Sequence, residues 1–135
     1  MVDVFSKNKR SEIMSLIKSK NTKPEKTVRS HLHKQGYRFV LHDKRLPGKP
    51  DIVLPRYKTV VEVNGCFWHG HEGCKKASIP KTRTEFWLNK IQSNKARDAR
   101  HRRELKESGW RVIEVWQCEI GEDRLNDLFR QITRQ

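Results

Sequence analysis

The sequence predicts an α/β fold: a mixed β-sheet flanked by helices and stapled by a metal-binding loop. Three observations carry this. Two runs rich in β-branched residues, Ile52–Leu54 and Thr59–Asn64, surround four residues that can turn the chain. Segments with helical spacing lie before and after them. Directly behind the second run, Cys66 to Cys74 interleaves cysteine and histidine with glycine.

In chain order, the first element is a basic helix over residues 7–20. Ile13, Met14, Leu16 and Ile17 form an apolar stripe among Lys7, Lys9, Arg10, Lys18 and Lys20. The stripe can dock on the core, or a side chain such as Met14 or Ile17 can face DNA and wedge between base steps. Thr22-Lys23-Pro24-Glu25 then reads as a capping box with proline in the first turn. It starts a helix to about Lys34, with Val28 and Leu32 inward, and Glu25 is explained as the reciprocal cap. Gly36 ends this helix, and a strand over 37–41 alternates Tyr37, Phe39 and Leu41 with Arg38 and Val40. The stiff Leu46-Pro47-Gly48-Lys49-Pro50 loop delivers Asp51 to the hairpin.

Within the hairpin, a loop of Pro55 to Lys58 sets Leu54 opposite Thr59 and, counting back, Asp51 opposite Glu62. Opposed Cβ atoms are roughly 4.5–5.5 Å apart, so two carboxylates there repel. They are either solvated acids on a surface hairpin or the oxygen ligands of a hard cation, Mg²⁺ for preference. Strand alternation puts Glu62 and Asn64 on one face, away from Val61 and Val63. In the loop that follows, Cys66, Cys74 and the distant Cys118 can join a histidine in a closed Cys₃His site for Zn²⁺. His71 is the favoured ligand, leaving His69 for an active site; three idle thiols are the alternative.

Residues 75–83 read as a basic loop. A long helix, Glu85 to Ser108, follows, capped by Thr84 or a neighbour and closed by Gly109. Its apolar face carries Leu88, Ile91, Ala99 and Leu105. Lys90, Lys95, Arg97, Arg100, Arg102 and Arg103 surround it, as a solvated face or as phosphate contacts. Trp110 to Trp116 reads as a central strand whose flanking tryptophans are core or rim. Leu125, Leu128, Phe129 and Ile132 mark a last amphipathic helix.

The chain of 135 residues is long enough for one domain spanning 1–135, with 7–20 as a DNA-contacting arm. Thirty Lys and Arg against sixteen Asp and Glu give a net charge of +14, a field that favours a polyanion such as nucleic acid. No apolar run reaches membrane-spanning length. The start is acidic within three residues, unlike a signal peptide, and three cysteines do not suit a secreted disulfide scaffold. An intracellular, soluble protein is expected, with no membrane partner.

The order of strand, acid-bearing hairpin, helix and strand is that of restriction-endonuclease cores. Four blocks are more specific: Leu46-Pro47-Gly48-Lys49-Pro50-Asp51; Asn64-Gly65-Cys66-Phe67-Trp68-His69-Gly70-His71; Thr82-Arg83-Thr84-Glu85-Phe86-Trp87; and Gly109-Trp110-Arg111-Val112. Together with Arg10-Ser11, Met14 and the Glu25 region, they closely resemble the very-short-patch-repair (Vsr) endonucleases over nearly the whole chain. The resemblance implies a restriction-endonuclease-like fold with structural zinc and catalytic Mg²⁺. The implied activity is nicking of duplex DNA on the 5′ side of the thymine in a T:G mismatch left by deamination of 5-methylcytosine. It further implies Asp51 as the main Mg²⁺ ligand, His69 as general acid or base, and Cys66, His71, Cys74 and Cys118 as zinc ligands. Phe67, Trp68 and Trp87 become an aromatic wedge beside the mismatch, and Met14 and Ile17 a second wedge from the opposite groove. Glu25 and Asp98 match acidic positions around the active site. A cytoplasmic, nucleoid-associated bacterial monomer, with mismatch-repair proteins as partners, completes the expectation.

The chain departs from the family pattern at Asn64, where many members carry histidine, and at Glu62, where they lack an acid. Pro50-Asp51 with Glu62-Val63-Asn64 then looks more like the restriction-enzyme signature, with asparagine in the lysine position. Asparagine takes no proton, so base work falls to His69 or a metal-bound hydroxide, and Glu62 adds a second carboxylate for Mg²⁺. Two alternatives stay open: a restriction-type DNA endonuclease without mismatch specificity, and a zinc-stapled DNA-binding module without turnover.

Overall fold

The computed structural model describes residues 22–134; the expected basic helix with Met14 and Ile17 lies outside them. The elements are α1 (Lys23–Lys34), β1 (Val40–Leu41), β2 (Ile52–Leu54), β3 (Thr59–Asn64), α2 (Thr84–Glu107), β4 (Arg111–Trp116) and α3 (Glu122–Thr133).

Thr22 caps α1 as expected, its hydroxyl accepting from the Glu25 amide at 3.5 Å. The sheet has the order β1-β2-β3-β4, antiparallel except for the parallel pair β3 and β4. The hairpin register is the one counted from its loop: Leu54 faces Thr59 and Ile52 faces Val61. One more step brings Asp51 level with Glu62. Lys58 closes the turn in left-handed backbone (φ 50°), its amide bonding back to the Pro55 carbonyl.

Two expectations about strands fail. The strand over 37–41 shrinks to Val40–Leu41, because Tyr37 is claimed by packing: its ring lies 5.7 Å from Tyr57 and 6.0 Å, stacked, from Phe129. β4 is an edge strand rather than central. Its apolar residues serve two faces, Ile113 and Val115 on one and Val112 on the other, so they need helices above and below, not a strand on each side.

Alternation sorts the core by face. Ile52, Leu54, Val61, Val63, Ile113 and Val115 pack under α1 and α3, against Val28, Leu32, Leu125, Leu128 and Ile132. Val53 and Val60 pack on the other face, under Leu105 of α2. By the same alternation Glu62, Asn64, Glu114 and Trp116 belong to the α2 face, beyond the reach of its small apolar core. That polar end of the sheet carries the site.

Half of the apolar stripe expected on α2 meets the core. Ile91 and Leu105 are buried, but Leu88 and Ala99 are exposed, and the third buried residue is Asn94. Of the two cap candidates, Thr84 or a neighbour, it is the neighbour that stands at the start of α2. Arg83 takes the cap position in left-handed backbone, and the Thr84 hydroxyl donates to the carbonyls of Pro80 and Lys81.

Arg111 closes the far end of the molecule. Its guanidinium donates to the carbonyls of Gln131 (2.8 Å), Ile132 (2.7 Å) and Arg134 (2.6 Å), and to the Thr59 hydroxyl at 3.1 Å. These carbonyls belong to the last turn of α3 and the residue after it, where intrahelical donors run out. Arg111→Ala is expected to destabilise the protein by about 2–3 kcal/mol, since several charge-assisted bonds are lost at once. Arg111→Lys, lacking the planar fork, should recover less than half of that in thermal melts. Among the described residues, no helix is long and apolar enough to cross a membrane.

Candidate active site and metal centre

A cleft of about 660 Å³ opens where α1, the hairpin and α2 converge. Asp51, entering β2, is tied across the hairpin: its Oδ2 accepts from the Val63 amide at 2.8 Å. Glu25 reaches in from α1. Its Oε1 lies 2.9 Å from Nε2 of His42 and its Oε2 accepts from Arg29 at 3.1 Å. The carboxylate is buried at 3 % exposure. The reading of Glu25 as a mere reciprocal cap is therefore corrected: its side chain points into the cleft. One donor atom each of Glu25, His42 and Asp51 lie within 4.8 Å of one another.

The carboxyls here resist ionisation. Burial pushes Asp51 up to about 6, and the Glu25 charge adds to this against the Val63 amide, His42 and His69. Burial pushes Glu62 up to about 7, helped by Asp51, Asp98 and Glu114 and opposed by Arg102. The cleft thus gathers more acid than its own cations neutralise, and the oxygen-rich donor set fits a divalent cation. Glu62, level with Asp51 on β3, lines the same cleft, while Glu25, His42 and Asp51 bring their donor atoms closest together.

His69 faces this group from the loop after β3. Its Nδ1 is 2.5 Å from Oδ2 of Asp98 on α2. Asp98 accepts the Nδ1 proton, which leaves Nε2 to exchange protons. The loop is pinned to α2 at two further points. Asn94, buried, donates to the Trp68 carbonyl at 2.9 Å. Gly70 has φ 60°, and a Cβ there would sit 2.7 Å from Ile91 and 2.8 Å from Lys95, so only glycine lets the loop lie this close.

Beyond Gly70 the chain turns through His71 and Cys74. Cys66, His71, Cys74 and Cys118 each bring a donor atom within 4.8 Å of the others. Cys66 and Cys118 come from the adjacent ends of β3 and β4. Against the cost of desolvation, bonds from the Lys76 amide, His71 and the other two thiols draw Cys74 down to about 7. Burial and the two neighbouring thiols push Cys118 up to about 12, and three thiols crowded against one imidazole make a donor set that fits a metal cation. Trp116 stacks on His71 at 4.0 Å, 5° from parallel, and meets His69 edge-on at 6.4 Å.

The three candidate wedge residues are also assembled. Phe67 lies 5.1 Å from Trp68 and 5.5 Å from Trp87, and the two tryptophans are 5.8 Å apart, all edge to face. Phe86 and Leu88 beside them are 47 % and 43 % exposed. Of the seven Lys and Arg residues on α2, Arg97 lines the cleft, while Lys95, Arg100 and Arg102 make ion pairs with Glu72, Glu104 and Glu114.

Comparison with known proteins gives the family. A family profile described as DNA mismatch endonuclease Vsr matches residues 2–76. The chain is 52% identical over 137 residues to a type II nicking enzyme of Neisseria meningitidis, covering 98% of this chain and 97% of that one. It is 52% identical to a type II nicking enzyme of Xanthomonas oryzae, over 90% of this chain and 89% of the other. With the DNA mismatch endonuclease Vsr of Escherichia coli it shares 45% identity, over 94% of this chain and 81% of the relative. The chain belongs to the Vsr family. It is accordingly a DNA endonuclease.

Within this Vsr-family site, sequence reading missed His42 and Asn94, whereas Arg97 is among the α2 cations already read as phosphate contacts. His42 has no periodic or motif context, and its place follows only from the pairing of β1 with β2. Asn94 left a faint signal: it falls three residues after Ile91 on the buried side of α2, where a polar residue must find a partner.

Proposed function

We propose that the protein is a Mg²⁺-dependent, strand-nicking repair endonuclease that cuts duplex DNA on the 5′ side of the thymine in a T:G mismatch. Such mismatches arise from deamination of 5-methylcytosine. The observation that carries this reading is the adjacency of three parts: an acid cleft, an imidazole oriented by a carboxylate, and a half-exposed aromatic cluster formed by the imidazole's own loop and the start of α2.

Each part has a role. Asp51 and Glu62, with Glu25 beside Asp51, would hold Mg²⁺, which when bound neutralises the phosphate and activates water. Asp98 holds His69 through Nδ1 so that Nε2 gives or takes a proton at the scissile phosphate, as general acid or base. Asn64, at the end of β3, can bond a phosphate or water but takes no proton. Phe67, Trp68 and Trp87 insert beside the mismatch, and Met14 and Ile17 from the other groove. A mispaired step unstacks more cheaply than a matched one, so insertion selects it through deformation energy. Arg97 and the other cations meet the backbone. Cys66, His71, Cys74 and Cys118 hold a structural Zn²⁺. The chain acts as one domain and as a monomer on an asymmetric lesion, in the cytoplasm at the nucleoid, with mismatch-repair proteins as possible partners.

Glu62 favours a second reading, a restriction-type endonuclease on this scaffold without mismatch specificity. End-labelled duplexes with Mg²⁺ separate the two: one carries T:G in a CC(A/T)GG-like context and its twin is matched. A nick beside the mismatched thymine alone is the expected result. Equal cutting of both duplexes would establish the second reading. Tight binding without cutting would leave a DNA-binding module.

A further inference from the structure

We propose that His42 is itself a metal ligand, so that Glu25, His42 and Asp51 form a mixed nitrogen–oxygen site that prefers Mn²⁺ to Mg²⁺. This rests on the metal-dependent reading above and changes its ligand set.

The backbone makes the juxtaposition. After the short β1, the His42 amide donates to the Asp51 carbonyl at 3.1 Å, setting the two residues side by side. His42 then adopts left-handed backbone (φ 48°), a conformation uncommon outside glycine in which histidine, asparagine and aspartate are enriched. The turn directs the imidazole inward, where its side chain is 12 % exposed. Its Nε2 rests 2.9 Å from Glu25 Oε1. Neighbouring ligands of an octahedral ion with bonds near 2.1 Å stand about 3.0 Å apart. The nitrogen and oxygen therefore already have the spacing of adjacent ligands, and Asp51 completes a triad within 4.8 Å.

A simple hydrogen bond would explain the pair but not the triad. The other Glu25 oxygen is already taken by Arg29, and Asp51 faces acids on two sides. A cation between Glu25, His42 and Asp51 relieves that repulsion. Oxygen-only sites suit Mg²⁺, whereas an imidazole ligand shifts preference toward the transition series, beginning with Mn²⁺.

The test titrates zinc-replete protein with Mn²⁺ and with Mg²⁺, without DNA, and records nitrogen hyperfine coupling to bound Mn²⁺. Wild type is expected to bind Mn²⁺ at least tenfold more tightly and to show imidazole coupling. His42→Gln keeps a donor for Glu25, and His42→Asn suits the left-handed backbone. Both should bring Mn²⁺ affinity to within about twofold of Mg²⁺ and abolish the coupling. Coupling or preference that survives in both variants, or equal affinities in wild type, would overturn the assignment of His42. Asp51→Asn should weaken both metals. If it weakens neither, the metal-dependent reading itself falls, an outcome distinct from a failure of His42 alone.

Discussion

Asp51→Asn is expected to reduce nicking by about a thousandfold or more and to leave duplex affinity within about threefold. The loss follows from charge: without the carboxylate, nothing else in the cleft replaces the anchor of a cation that stabilises the phosphate transition state. Affinity survives because the basic residues and the aromatic cluster, not the acids, attract DNA. The same variant carries a second, opposite effect on stability. Asp51 rises from 3.8 to about 6 in the native state and Glu62 from 4.5 to about 7. Over roughly pH 4 to 7 the native state therefore holds protons that the unfolded chain has released. Stability of the metal-free protein must then fall as pH rises through this window, each group contributing a slope of up to about 1.4 kcal/mol for every step of one in pH. Asp51→Asn removes one of these burdens and should melt higher than wild type at pH 8 in chelator, with a flatter pH dependence. Mg²⁺ should narrow the difference by stabilising wild type alone. Denaturation curves at pH 5 and pH 8, with and without Mg²⁺, together with nicking assays, check both halves. An Asp51→Asn protein that binds DNA poorly, or melts lower at pH 8, contradicts the assignment.

Which parts of the site were legible in the sequence depended on how locally they are encoded. The hairpin register could be counted because a four-residue loop constrains it, and the Cys66–His71–Cys74–Cys118 set stood out because rare ligating residues crowd one loop. The place of β4 at the sheet edge was not legible: its apolar residues on both faces fit a central strand as well as an edge one. The exposure of Leu88 and Ala99 was hidden for a related reason. Helical spacing says which residues share a face, not whether the face meets protein, and α2 reaches past the sheet over much of its length. Glu25 shows how a sufficient local explanation can mislead. The capping pattern accounted for it, and only the approach of His42 and Asp51 from elsewhere in the chain shows its carboxylate in the cleft.

Removal of the metal from the cysteine cluster should act in the opposite direction to Asp51→Asn. Cys66 follows β3, Cys118 follows β4, and His71 with Cys74 lies in the loop between, so a bound ion ties two neighbouring strand ends to one irregular segment. From Gly65 to Arg83 that segment holds no strand, and its order rests on short turn bonds, the Asn94 contact, the His69–Asp98 pair, the packing of Phe67 and Trp68 on Trp87 and of His71 on Trp116, and the approach of Gly70 to α2, most of them before Glu72. Cys118→Ser is the informative variant because Cys118 is exposed whereas Cys66 is fully buried. A loss of stability at position 118 thus reports the missing ligand rather than a cavity. We expect loss of the bound ion, destabilisation by about 2–4 kcal/mol, a melting temperature lower by about 10 °C or more, and loss of nicking. Nicking is lost because Phe67, Trp68 and His69 sit between Cys66 and His71 and cannot keep their places once those two are released. Far-UV circular dichroism at low temperature should change little, since most of the sheet and all three described helices lie outside the loop. Chelation of wild type should reproduce the same shift. A Cys118→Ser protein that keeps one equivalent of zinc and melts with wild type would show that the cluster does not staple the fold. If both variants behave as expected, two inactive proteins with stability changes of opposite sign separate the acids that act on the phosphate from the ligands that hold the loop in place.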